Sequence, residues 1–168
     1  MSTSITDAHE PYMMTCAEAL AESGIKVHST QTASGWPRHG VVRLGSPDGA
    51  PADLVLAWNE ELGWAYGTAV PGRDPLDVLD RAKVFGKSVL PTPDQLVSDV
   101  YPILISRRRV SIPPGPHRSW RDAADGFEAE LIAYATGERY GAAAVGMSHR
   151  DQFGNGRAAT QPAGSGGA

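Results

Sequence analysis

The stretch Asp53-Leu-Val-Leu-Ala-Trp58-Asn-Glu-Glu-Leu-Gly63-Trp64-Ala-Tyr-Gly-Thr68 constrains this chain more than any other. Leu54, Leu56 and Trp58 alternate with Asp53, Val55 and Ala57. Trp64, Tyr66, Thr68 and Val70 alternate with Ala65, Gly67 and Ala69. That is the period of a β-strand, whose successive side chains point to opposite faces. Gly63 ends the connection, where a type I turn followed by a left-handed residue favours glycine. A loop of Glu61, Leu62 and Gly63 predicts that Glu60 pairs with Trp64 and Trp58 with Tyr66. One face of the hairpin then carries Leu54, Leu56, Trp58, Tyr66, Thr68 and Val70, with Trp58 and Tyr66 both mostly buried. The other carries Ala57, Ala65, Gly67 and Ala69, small enough for a helix to approach closely. Cross-strand aromatic pairs of this kind stabilise a sheet by roughly 0.2–1 kcal/mol each.

Helices and further strands surround the hairpin. Met13, Cys16, Ala17 and Leu20 recur at helical spacing, so a helix is expected over about His9–Ser23, with Pro11 in its first turn and Gly24 as its stop. Short strands are expected near Ile25–Gln31 and Gly40–Leu44, and Ser46-Pro-Asp-Gly49 is a turn signal. Residues 75–85 fit alternation loosely and are read as a strand. Thr92-Pro93-Asp94-Gln95 opens a second helix: the Thr92 hydroxyl caps Gln95, and Pro93 takes the first helical position. Pro102 should kink or end that helix. After Pro113-Pro-Gly-Pro116, Ser119 is expected to cap a third helix whose stripe is Trp120, Ala124, Phe127, Leu131 and Tyr134.

The expected architecture is α+β. An antiparallel meander of four to five strands is flanked by an N-terminal helix and a following helix, with a C-terminal helical extension. Residues 1–8 form a flexible lead and 9–110 the α+β domain. Residues 111–147 form a proline hinge and amphipathic helix. Residues 148–168, rich in Gly, Ala, Ser and Gln, form a disordered tail.

Composition narrows the function classes. With a net charge of −4 the chain has no general attraction for nucleic acid or acidic membranes. Cys16 is the single cysteine, which excludes an intramolecular disulfide and a cysteine-based zinc site. No stretch approaches the roughly 20 apolar residues of a membrane span, and the polar N-terminus lacks a signal-peptide pattern. A cytoplasmic location is the expectation.

The core resembles a family of small uncharacterised actinobacterial proteins. The resemblance rests on an apolar-x-apolar-x-Trp-(Asp/Asn)-Glu-x-x-Gly-Trp hairpin, here Leu54, Leu56, Trp58, Asn59, Glu60, Gly63 and Trp64. It rests also on Val89-Leu90-Pro91-Thr92-Pro93 before a closing helix. It covers roughly residues 10–105, with Asn59 where Asp is expected. It implies a fold and a compartment, and it assigns no activity and no functional residue.

Motifs that carry chemistry are sparse. Gly86-Lys87-Ser88 ends like a phosphate-binding loop, but the glycine such a loop needs five residues earlier is Arg81. A surface turn that binds no nucleotide is expected there. Asp74, Asp77 and Asp80 lack the alternating ligands of a calcium loop and read as a solvated acidic edge. The histidines His9, His28, His39, His117 and His149 are scattered. Cys16 lies on an apolar helix face as a small hydrophobe. No catalytic residue, metal-ligand set or cofactor is indicated.

Arg107-Arg108-Arg109 is a basic run that suits an acidic partner or the negative end of the second helix. Together with Trp120, Phe127 and Leu131 it makes the expected partner-binding surface. The first reading is therefore a non-enzymatic binding or adaptor protein, acting through an open sheet edge or the third helix, with a protein partner or a second copy. One alternative is a small-molecule binder or enzyme whose site assembles from distant residues around Trp58, Trp64 and Arg43. A DNA-associated regulator is a second alternative, although nucleic acid is not the expected partner.

Overall fold

The structure is a computed structural model that describes residues 7–45, 54–77, 79–106, 118–119, 121 and 124–138. The order is α1 (His9–Glu22), β1 (Val27–Ala33), β2 (His39–Leu44), β3 (Leu54–Asn59), β4 (Gly63–Ala69), β5 (Leu79–Val84), α2 (Pro93–Ser106) and α3 (Phe127–Ala135). The strands form one antiparallel sheet in the order β1-β2-β3-β4-β5. The α+β meander read from the sequence is thus the architecture observed, with residues 79–84 as its fifth strand.

The hairpin keeps its expected faces but not its expected register. Asn59 pairs with Gly63, Trp58 with Trp64 and Leu56 with Tyr66. The loop is Glu60-Glu61-Leu62, one residue earlier than expected, and Gly63 begins β4 at φ +74. Moving the loop by one residue moves the pairing by two and preserves side-chain parity. Trp58 and Tyr66 therefore share a face, yet Trp64 is the partner of Trp58, and Tyr66 is only half-buried. Gly63 is required twice over. Its φ is positive, and a Cβ there would stand 3.1 Å from both the Ser88 carbonyl oxygen and the Val89 Cα.

The large-residue face is the core side. Val42, Leu44, Leu56, Trp58 and Trp64 meet Tyr12, Met13, Cys16 and Leu20 of α1, Leu96, Val100 and Ile103 of α2, and Phe127, Leu131 and Tyr134 of α3. Gly40 lets α1 come close, since a Cβ there would reach the Met13 methyl at 3.0 Å. Thr92 caps α2 as expected, its hydroxyl accepting the Gln95 amide at 3.3 Å. Of the two outcomes expected at Pro102, a kink or an end, the end does not occur: α2 runs on to Ser106, with Ile103 buried beyond the proline.

The third helix also departs from expectation. It begins at Phe127, not near Ser119, because Asp125-Gly126 sets its start. The Asp125 carboxylate accepts the Phe127 amide at 3.2 Å, and Gly126 adopts φ +77. Ser119 instead closes a local turn onto the Arg121 amide. Far from being an appendage, α3 packs beside α1 over Trp58 and Tyr12. The lead before residue 7, the Ser46–Gly49 turn, the Pro113–Pro116 break and the tail after residue 148 lie outside the described residues.

Candidate functional site

The residues singled out from the sequence divide into those that hold the fold and those that line an open face. Trp58 donates its indole N–H to the Val89 carbonyl at 2.8 Å. Trp64 donates to the Tyr12 hydroxyl at 2.9 Å, and Tyr12 donates in turn to the Pro91 carbonyl at 3.0 Å. The two hairpin tryptophans thus tie the sheet to α1 and to the Val89-Leu90-Pro91 connection. All three rings are buried. Burial pushes the Tyr12 hydroxyl far above its usual range and the Cys16 thiol up to about 12. Cys16 therefore stays a protonated apolar filler at neutral pH.

A second layer lies at the hairpin tip. Arg38 and Glu60 are fully buried and pair side chain to side chain, Nε to Oε2 at 3.1 Å and Nη2 to Oε2 at 2.8 Å. They also bond through the backbone: the Arg38 amide donates to Glu60 Oε1 at 2.6 Å, and the Glu60 amide donates to the Arg38 carbonyl at 3.1 Å. Glu128 of α3 completes the guanidinium shell, Arg38 Nη1 donating to its Oε2 at 3.1 Å. These carboxylates hold the Arg38 pKa above its ordinary value against the desolvation that lowers it. Arg118 reaches Glu60 at 3.4 Å and pairs with Asp125, whose carboxyl it holds below the usual range.

Aromatic rings fill the space between. His9 stacks on Trp58 at 6.0 Å, Trp58 on Phe127 at 6.3 Å, and the Arg118 guanidinium caps Phe127 at 3.9 Å. His9 is 1% exposed with neither ring nitrogen hydrogen-bonded. Desolvation first and the nearby Arg38 charge second hold its pKa below the ordinary histidine value.

Phe127 and Leu131, expected on a partner surface, are 6% and 0% exposed and belong to this core. Trp120, Arg107, Arg108 and Arg109 lie outside the described residues. Trp58, Trp64 and Arg43 do not converge. The tryptophans point to the helix side, and Arg43, odd-numbered on β2 and paired with Val55, points to the other. Asp74 caps a turn by accepting the Leu76 amide at 3.0 Å. Gly86, at φ +82, lies in the turn after β5, and the Ser88 hydroxyl accepts the Leu90 amide. Among the described residues no three His, Cys, Asp or Glu side chains gather as a metal site, and no helix is long and apolar enough to cross a membrane.

The sheet face opposite the helices carries a cavity of about 540 Å³. Its floor is Val41, Ala57 and Ala65, side by side on adjacent strands. Trp36 and Leu62 wall it and remain 43% and 42% exposed. Pro75 and Leu76 of the β4–β5 connection close one side, and Ser34, His39, Asn59 and Asp77 supply polar groups. The Arg38 guanidinium lies 4.5 Å from the Trp36 ring centroid and orients that ring at the mouth. The His39 Nδ1 and the Pro37 carbonyl are 3.1 Å apart, which ties the imidazole to the same loop. Sequence reading took the small side chains of this face as able to let a helix approach closely. The alternation did mark its small residues, but nothing local signalled that, among the described residues, loops would border them.

The model of a family of unknown function (DUF6292) matches residues 12–101. That span holds α1 from Tyr12 onward, the whole sheet and most of α2, and it stops before α3. Among curated proteins and solved structures nothing matches the chain.

Proposed function

This chain belongs to that family of unknown function, and from its geometry we propose that it is a non-enzymatic binding protein whose ligand lies in the groove on the sheet face opposite the helices. The ligand is a planar, largely apolar small molecule bearing a hydrogen-bond donor. The observation that carries this reading is the cavity of about 540 Å³ walled by the half-exposed Trp36 and Leu62 over an alanine and valine floor. Its size falls within the roughly 300–1,000 Å³ range of small-molecule sites. Small side chains in the floor let a flat ring lie against the sheet, while Trp36 offers an edge or face to it. The Asp77 carboxylate at the rim sets the preference for a donor. The tightly held polar groups elsewhere, Arg38, Glu60, Glu128 and Arg118, pair with one another and anchor the fold.

Saturation-transfer NMR with a set of planar aromatic fragments tests the proposal. Hits should shift the Trp36 indole and the Ala57 and Ala65 methyl resonances, and Ala65→Leu, which fills the floor, should abolish them. Fragments that bind equally well to Ala65→Leu, or none that bind, would overturn it.

A further inference from the structure

Residues 118–135 do more than add a helix. The Arg118 amide donates to the Glu61 carbonyl at 3.0 Å, its guanidinium reaches Glu60 at 3.4 Å, and Phe127 slides between that guanidinium and the Trp58 ring. Glu128 caps Arg38, Leu131 is fully buried, and Tyr134 meets Tyr12 edge-on at 5.0 Å. Phe, Glu, Leu and Tyr at positions 127, 128, 131 and 134 fall on one face of a helix, the spacing by which amphipathic helices are read in a groove. The receiving surface is built by α1, Trp58, Arg38 and Glu60, of which all but His9 and the first residues of α1 fall within the family match at 12–101. The inserted helix lies outside that match.

We infer that this surface is a helix-recognition site, filled here by the chain's own α3, and that it accepts the same helix from a second copy of the chain. The second copy is the fitting occupant because it carries the required pattern and the complementary charge, Glu128 against Arg38 and Arg118 against Glu60. The eleven residues 107–117 join α2 to the first anchored residue, Arg118. At ~3.3–3.6 Å per residue that length spans at most about 40 Å. Shortening such a connection beyond its reach drives an element into a neighbouring copy.

Two experiments on the full chain test this. In the first, a specific protease site placed within 109–116 is cut after folding. The released fragment should stay bound, and a labelled peptide of residues 118–138 should exchange into its place. The same peptide with Phe127→Ser should bind roughly tenfold more weakly or worse, as loss of an aromatic anchor does. A fragment that never exchanges, or a Phe127→Ser peptide that exchanges as well, overturns the recognition site. In the second, residues 109–116 are deleted. Sedimentation should show a dimer that Phe127→Ser returns to monomer. A folded monomer, or a dimer indifferent to Phe127→Ser, overturns the second copy as occupant. If the shortened chain does not fold, cut chain carrying a fluorescent 118–138 segment is mixed with unlabelled cut chain. Label passing between copies then supports exchange, and label confined to its original core overturns it.

Discussion

Neighbouring residues of the same strands build two different surfaces on this sheet. On β3, Leu56 and Trp58 face three helices and are essentially inaccessible, whereas Ala57 between them faces the groove. On β4, Trp64 is sealed in the core and Ala65 lies in the groove floor. The helix-covered face is cross-linked by specific bonds: Trp58 to Val89, Trp64 to Tyr12 to Pro91, and Arg38 to Glu60 and Glu128. The open face is bordered by loops and keeps two large apolar side chains near half exposure. One face therefore holds the core of the domain, and the other carries the groove. A tryptophan means opposite things on the two: Trp58 is a fastener, and Trp36 is a wall.

This contrast breaks most decisively at Trp58. Trp58→Ala removes the ring held between His9 and Phe127 and orphans the Val89 carbonyl, so it should cost about 3–5 kcal/mol in urea unfolding. A loss within about 0.5 kcal/mol, the ordinary size of a surface substitution, would mean that the helix-covered face is not where stability resides. Glu60→Ala comes next. It strips the buried Arg38 of its main partner, and with Glu128 still in place the loss should be about 3 kcal/mol. Guanidinium unfolding of Glu60→Ala beside Glu128→Ala separates the two contributions, and equal losses would contradict the deeper burial of Glu60.

The His9 contribution is set by pH. Its folded pKa lies below the unfolded value, so the unfolded chain takes up the proton first as pH falls. Stability should be full above the ordinary histidine pKa and decline below it, levelling off once the folded pKa is passed. His9→Phe should flatten this part of the melting-temperature profile. A His9→Phe profile that keeps the native slope through about pH 6 would show that His9 is not the source of that decline. The smallest effect belongs to the open face. Trp36→Ala removes a half-exposed ring and its contact with the Arg38 guanidinium and should cost about 0.5–1 kcal/mol. A loss as large as that of Trp58→Ala would erase the distinction between the faces.

Much of the helix-covered face was legible because its signals are local. Period-two alternation named the residues of β3 and β4 that turn inward, Thr92-Pro93 marked the start of α2, and the Met13-Cys16-Ala17-Leu20 spacing marked α1. Parity survives a two-residue slip, which is why the faces came out right while the Trp58–Trp64 pairing did not. The position of the turn decided that pairing, and it depends on Gly63 fitting against the Ser88–Val89 backbone, a contact distant in sequence. For a related reason Pro102 does not stop α2. The lost backbone bond of a proline is a local cost, and the burial of Ile103 beyond it is a tertiary gain.

By itself, then, the sequence determined the α+β class, the order of the five strands and the sides to which their large and small residues turn, because each rests on steric and polar preferences spanning a few residues. Only the tertiary structure decided which side the helices would cover. Only it showed that Arg38, Glu60, Arg118 and Glu128 meet across separations of up to 90 residues. The groove beneath Trp36 and the burial of Phe127 and Leu131 emerged in the same way. An apolar stripe states that a surface must be covered, and what covers it is settled by which other surfaces the folded chain brings within reach.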